Sequence, residues 1–183
     1  MLLPVAIGIT VLMACQGGPV FFSQWRVGQD GRAFRLWKFR TMRPGAEGEL
    51  PDLLAGNDDL SDVWQRYGKL PDEPRITPFG RMMRRYSLDE LPQLWNVLVG
   101  DMSLVGPRPV PLEELRAAYG AAASCYLSCR PGLSGLWQVS GRNRLTHEQR
   151  VALDCRYARD RSLSLDLVIL LRTVVSVLHG TGC

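Results

Sequence analysis

Histidine is scarce in this sequence. His147 and His179 are the only two, and the five cysteines (Cys15, Cys125, Cys129, Cys155, Cys183) are odd in number and contain no CxxC pair. Zinc centres draw their ligands from these residue types at short spacings, so a zinc site is poorly supported even though Cys125 and Cys129 would share a helix face. An odd set without a framework of spacings also argues against stapling by disulfides and fits reduced thiols in a cytosolic setting. Long apolar runs are missing as well. Leu2 to Ala14 (LLPVAIGITVLMA) gives 13 residues without a charge. As a helix it would span about 20 Å against about 30 Å of bilayer hydrocarbon, too short to cross alone. No Lys or Arg precedes it. A secretory leader needs that basic start, so the likeness of Leu12-Met13-Ala14-Cys15 to a lipoprotein cleavage box carries no weight. The run is therefore either a buried core helix or a segment dipping into one leaflet. Internal repeats and low-complexity tracts are absent too, which excludes solenoids and arrays.

What remains is an ordinary globular composition, 46% hydrophobic and 22% charged over 183 residues, long enough for one domain with a real core. The net charge of +4 points to an anionic partner such as lipid headgroups, phosphates or nucleic acid. Its distribution is uneven: Gln24 to Arg43 holds six Lys/Arg against one Asp, and Pro44 to Glu73 holds eight Asp/Glu against two basic residues. A uniform nucleic-acid stripe would look different.

Two β-prone runs, Val20 to Val27 and Ala33 to Arg40, flank Gly28-Gln29-Asp30-Gly31-Arg32 and predict a hairpin. Its Arg and Lys residues alternate with Phe21, Phe22, Trp25 and Trp37, which suits either an interfacial ribbon or simple packing on the core. The acidic stretch from Pro44 to Pro74 reads as a surface flap with one weakly helical piece near Leu60 to Tyr67. Helices are expected over about Thr77 to Arg85, from YSLDELPQ to Val99, over Leu112 to Ser128, Thr146 to Arg159 and Leu165 to His179. DMSLVGPRP (Asp101 to Pro109) should be extended, and RPGLSGLWQVSGRN (Arg130 to Asn143) a loop and strand. The fold class that follows is α+β: a mainly helical single domain with a small antiparallel hairpin or sheet.

Three constellations have the residue types for chemistry. In YSLDELPQ, Ser87 followed three residues later by Glu90 fits a capping box, and acids are stabilised in a first helical turn. Pro92 is better placed if Asp89 is the cap, so the box is not compelled. The same pair, Asp89 and Glu90, has a functional reading. A helix start favours phosphate, a phosphate-bearing substrate brings Mg²⁺, and a carboxylate can attack phosphorus to form an aspartyl phosphate. In Gly106-Pro107-Arg108-Pro109, two prolines pre-position one guanidinium, either for bidentate capture of phosphate or as a stiff turn with a solvated Arg. In Ser140-Gly141-Arg142-Asn143, a turn beside Trp137-Gln138 offers Arg and amide groups to a phosphate or a sugar hydroxyl.

Taken in order, GPVFFSQWRVGQDGRAFRLWKFRTM, RITPFGRMMRRYSLDELPQLWNVLVGDMSLVGPRP and RPGLSGLWQVSGRN resemble the bacterial sugar transferases called monotopic phosphoglycosyl transferases, over about Leu3 to Gly182. The resemblance implies transfer of a sugar 1-phosphate from a UDP-sugar to polyprenyl (undecaprenyl) phosphate. This is the first membrane step of exopolysaccharide, O-antigen or other glycan assembly, at the cytoplasmic face of the bacterial inner membrane. It implies Mg²⁺, a ping-pong course through a phosphosugar on Asp89, and Glu90 as metal ligand and aid to deprotonating the polyprenyl phosphate. Asp89 and Glu90 are together the metal candidates. Pro107, Arg108 and Pro109 match the family's Pro-Arg-Pro motif beside the nucleotide sugar, Gln138, Arg142 and Asn143 its second motif, and Lys38 and Arg40 its basic strand; Arg85, from the basic run before the dyad, joins them as substrate-binding. Residues 1–16 would be the remnant of a re-entrant membrane helix, and residues 17–183 a catalytic domain at the membrane interface. Leu3-Pro4 stands where such proteins carry a Ser-Pro step, leaving the outgoing half, Pro4 to Cys15, with weakened membrane retention expected. Partners implied are the UDP-sugar, polyprenyl phosphate, inner-leaflet lipids and optionally a second copy of the chain, with no nucleic acid. The competing readings are an inactive or scaffolding relative and, from another class, a basic nucleic-acid-binding module.

Overall fold

The computed structural model describes residues 2–15, 17–46, 48–67, 70 and 73–180, with the side chains of residues 2, 3, 65–67 and 143 outside that description. It is a single mixed unit of helices with small sheets. Helix α1 (Leu2–Cys15) leads into an antiparallel hairpin, β1 (Phe21–Val27) and β2 (Ala33–Phe39), in the register Phe22↔Lys38 and Arg26↔Phe34. The hairpin turn holds Asp30 at φ 56° and Gly31 at φ 80°, the left-handed backbone that an Asp-Gly pair accepts readily. Two helices follow, α2 (Glu49–Ala55) and α3 (Asp58–Tyr67), where a single helical piece was expected. Acids in their first turns (Glu49 and Asp52; Asp58 and Asp59) account for the difference, since they favour the positive end of a helix dipole. The flap returns through a buried pair, Arg75 to Glu73 at 2.6 Å.

Helix α4 (Pro78–Arg85) begins where Thr77 Oγ1 accepts from the Gly80 amide at 2.9 Å, with Pro78 at the first helical position. The Ser87 capping box does not form. Ser87 is left-handed (φ 54°), its side chain caps nothing, and Leu88–Glu90 make one 3₁₀ turn before α5 (Gln93–Leu98). Pro92 thus sits ahead of α5, where its missing N–H costs little. Strand β3 (Ser103–Val105) pairs in parallel with β4 (Gly132–Ser134), a second sheet not foreseen from the sequence. Its close approach rests on glycine: a Cβ at Gly132 would lie 2.1 Å from the Gly106 nitrogen.

The helix expected over 112–128 is broken. Leu112–Glu114 (α6) is α-helical, Leu115–Tyr119 is a π turn, Gly120 (φ 46°) opens a 3₁₀ turn, and Ala123–Leu127 (α7) resumes. A left-handed glycine cannot continue an α-helix, and the interruption turns Tyr119 and Tyr126 onto one edge-to-face pair, 5.3 Å between centroids. Leu136–Ser140 (α8) is helical within the segment expected to be loop and strand. α9 (His147–Asp160), with a capping box between Thr146 and Gln149, and α10 (Leu163–Leu178) close the chain.

The core is distributed over several clusters. Ile9 and Met13 of α1 bury against Phe39 and Met83, so α1 is seated on the hairpin and α4. Ile169 of α10 packs with Val105, Cys129 and Tyr157. Among the described residues no helix is long and apolar enough to cross a membrane. Exposed apolar side chains nevertheless recur on α1 (Val5, Ile7, Val11, Leu12) and along α10 (Leu163, Leu167, Leu171, Val174, Leu178).

Candidate active site

Two tethers bring β2 under the acidic turn. Fully buried Asn96 accepts from the Trp37 amide (3.2 Å) and donates to the Arg35 carbonyl (2.7 Å), fixing α5 against β2. Lys38, on the same strand, then reaches Glu90 Oε1 at 2.9 Å. Arg108, held between buried Pro107 and Pro109, donates to the same oxygen at 3.3 Å. Its guanidinium also lies 5.9 Å from the centroid of Trp137, with Arg150 4.9 Å from that ring. The indole is thus a platform between two guanidiniums, at about the range where cation–π attraction acts.

The two carboxyls have opposite electrostatics. Burial would raise the Glu90 carboxyl, but the charges and hydrogen bonds of Lys38 and Arg108 outweigh it and hold it down at about 2. A carboxylate that acidic is ionised throughout the physiological range and accepts protons weakly, so it suits a cation ligand better than a general base. Asp89, 7% exposed, makes no hydrogen bond among the described residues. Burial pushes its carboxyl above the ordinary range; Lys38 pulls it back and Glu90 adds to the rise. An under-solvated carboxylate of this kind is a reactive one, since desolvation leaves its lone pairs uncommitted.

Asp89 and Glu90 open onto a cleft of about 2040 Å³. Among its described lining residues, eleven Lys/Arg face four Asp/Glu, an excess that suits a multiply charged anion. Lys38, Arg40, Arg85, Arg108, Pro109, Gln138 and Arg142 all line it. Their roles within it differ in geometry. Arg40 Nη2 donates to the Gly17 carbonyl at 2.6 Å, which turns it toward the link between α1 and β1. Arg85 is exposed and lies over Tyr86. Gln138 is buried with Oε1 unpartnered, while its backbone carbonyl accepts from Arg142 Nε at 2.8 Å. Pro107 lies beneath the wall as a buried support. Asn143 belongs to the 3₁₀ turn Arg142–Arg144, and its side chain falls outside the described residues.

Sequence reasoning missed Asn96, the Tyr119–Tyr126 pair and Arg150. Each acts through a partner well beyond one helical turn, from seven positions for Tyr119–Tyr126 to 61 for Asn96 and Arg35, and no local spacing marks them. An Asn set among Leu94, Trp95, Val97 and Leu98 was the one available signal. For Mg²⁺ the donor set fits in kind. No group of three His, Cys, Asp or Glu gathers among the described residues. Two adjacent carboxylates, one ionised and one without a hydrogen bond, match an ion that takes one or two carboxylates and completes its shell with phosphate oxygens and water.

Comparison with known proteins identifies the family to which the chain is similar. A family model described as bacterial sugar transferase matches residues 1–180. The exopolysaccharide production protein ExoY of Sinorhizobium fredii is 45% identical over 166 residues, 91% of this chain and 73% of that protein. The undecaprenyl-phosphate galactose phosphotransferase of Salmonella typhimurium is 43% identical across 98% of this chain but only 37% of its own length. The UDP-glucose:undecaprenyl-phosphate glucose-1-phosphate transferase of Xanthomonas campestris is 38% identical across 97% of this chain and 35% of its own length.

Proposed function

This chain belongs to the bacterial sugar transferase family, and we propose that it moves a hexose 1-phosphate from a UDP-sugar to undecaprenyl phosphate as an early step in making an exopolysaccharide or related surface glycan. The observation that carries the reading is the pairing of a buried carboxylate without a hydrogen bond, Asp89, with an ionised Glu90 in a cleft rich in Arg and Lys. Two relatives' names, a galactose phosphotransferase and a glucose-1-phosphate transferase, support a hexose donor and the polyprenyl acceptor.

In the first step an Asp89 oxygen attacks the sugar-bearing phosphorus. The phosphoanhydride bond breaks, the nucleoside monophosphate leaves with the bridging oxygen, and the sugar phosphate stays on Asp89. In the second, an oxygen of polyprenyl phosphate attacks the same phosphorus and releases the Asp89 carboxylate, giving a polyprenyl diphosphate sugar. Splitting one displacement into two lets both substrates use a single anion site. Arg108, fixed by its prolines and by Trp137, and Lys38 stabilise charge on the non-bridging oxygens. Asp89 and Glu90 would hold Mg²⁺, whose chemistry is to neutralise the diphosphate. Gln138 and Arg142 line the far wall, where sugar hydroxyls and phosphate can be received.

Residues 1–16 form the membrane-inserted part in this reading, as the outgoing half of a re-entrant helix, and residues 17–183 the catalytic part resting on the cytoplasmic face of the inner membrane. Support comes from the exposed apolar side chains of α1 and α10 and from exposed Trp25 and Trp95, since aromatics favour the headgroup zone.

The test is incubation with radiolabelled UDP-glucose or UDP-galactose, Mg²⁺ and membranes, followed by denaturing capture of protein-bound label. Label should appear on the wild-type chain, chase into lipid when polyprenyl phosphate is added, and be absent from Asp89→Asn. Label that persists on Asp89→Asn overturns the assignment.

A further inference from the structure

Arg26 is the penultimate residue of β1, and the end of that strand is locked to the segment following Pro109. The Val27 amide donates to the Val110 carbonyl at 3.0 Å, while the Tyr126 hydroxyl donates to the Val27 carbonyl and accepts from the Val110 amide. This clamp places Arg26 in the wall of the same cleft as Arg108, Asp89 and Glu90. Arg108 is neutralised by Glu90. Arg26 is not: no ion pair to it occurs among the described residues. Its Nη2 donates to its neighbour Gln24 Oε1, its Nη1 to the Trp25 carbonyl at 3.3 Å, and its Nε is buried without a partner. All of these acceptors are neutral and come from its own strand. Burial, then the nearby charge of Arg108, hold its proton affinity below the ordinary range, with Glu114 and Glu113 offsetting only part. A half-buried guanidinium with its Nε buried and unpartnered, near a second guanidinium, is costly unless an anion joins them.

We infer that Arg26 binds a phosphoryl group in the cleft together with Arg108. The identity of that anion rests on the transferase reading: it is a phosphate of the nucleotide diphosphate sugar or the monophosphate of the polyprenyl acceptor. Both offer the same chemistry, a multiply charged phosphate whose oxygens accept two or more N–H groups from planar guanidiniums. A seated anion would satisfy the orphaned Nε and cancel the repulsion between the two arginines. It would thereby couple the hairpin end to the Pro-Arg-Pro turn.

Calorimetric titration of the full chain in detergent, with inorganic pyrophosphate in one arm and farnesyl phosphate in the other, separates the two sources. Arg26→Gln should weaken binding roughly ten- to hundredfold in at least one arm, as loss of a charge-assisted contact does; loss in one arm names the source, and loss in both means that the two phosphates share the site. Arg26→Lys, which keeps the charge but loses the fork, should recover part of the affinity at an unchanged melting temperature. Unaltered binding in both arms overturns the inference. So does failure of the wild-type chain to bind either probe, or an equal loss in Arg26→Lys accompanied by a lowered melting temperature, which would make Arg26 a structural residue. Sugar transfer measured in parallel decides the other reading separately. A chain that binds a probe through Arg26 yet transfers nothing keeps this site and loses the transferase assignment.

Discussion

Asp89→Asn should abolish sugar transfer and yet make the protein more stable. The substitution keeps the shape of the side chain and removes its charge. Asp89 is 7% exposed and makes no hydrogen bond among the described residues, so ionising it costs free energy that folding must supply. Lys38 offsets part of that cost, but burial and the adjacent Glu90 prevail, because the net effect is a raised pKa. The sign follows from linkage. A carboxyl whose folded pKa lies above its ordinary 3.8 makes the folded state less stable as pH rises through that interval. The advantage of Asn should therefore be larger at pH 8 than at pH 4, where the ordinary carboxylate range lies. Relief of an active-site strain of this kind is typically worth about 1 kcal/mol, or about 2–4 °C in Tm for a chain of this size. Thermal melts at both pH values, read beside the label-capture assay, check it. A Tm that falls at pH 8 would refute the reasoning and make Asp89 a structural residue.

Glu90→Gln should behave oppositely, losing turnover and stability together, since Lys38 and Arg108 then lack their anion. The Glu90 carboxyl held at about 2 instead of 4.5 contributes stability that is present above pH 4.5 and lost as pH falls through about 2; the linkage sets an upper bound of about 3 kcal/mol, and acid titration of wild type against variant measures it. Asp154, 1% exposed and bonded to the Tyr119 hydroxyl at 2.6 Å with its other oxygen unpartnered, is pushed up to about 7 by burial. Wild-type unfolding free energy should thus decline between pH 5 and 8 by up to about 3 kcal/mol more than that of Asp154→Asn, as denaturant curves at the two pH values would show. Gly80→Ala should cost about 3 kcal/mol, because its Cβ would lie 2.1 Å from the Thr41 carbonyl oxygen. Tm should fall, and transfer with it as Arg84 loses its bond to Thr41 Oγ1.

Much was legible in the residues because it is local. Alternation about an Asp-Gly turn specified the hairpin, Thr77-Pro78 specified the start of α4, and Thr146 with Gln149 specified the start of α9. The order of LDEL, GPRP and SGRN marked the resemblance to bacterial sugar transferases, and the family model agrees. Other features depended on partners far along the chain. Whether Ser87 would cap a helix hung on its backbone, and that is set by how Leu88 and Leu91 pack against Ile9, Met13 and Phe39. The break at Gly120 serves the Tyr119–Tyr126 contact, and β3 found β4 because Gly106 and Gly132 let two backbones touch. The sequence by itself determined the hairpin, the starts of α4 and α9, the two acids and the guanidinium between prolines, since these follow from propensity and spacing. Only the tertiary structure decided that Glu90 is committed to Lys38 and Arg108, that Asp89 is left buried without a hydrogen bond, and that Arg26 faces the same cleft. Those states are set by burial and by charges more than fifty residues apart in the Lys38–Glu90 pair alone, and dielectric surroundings exist only once the chain has closed around them.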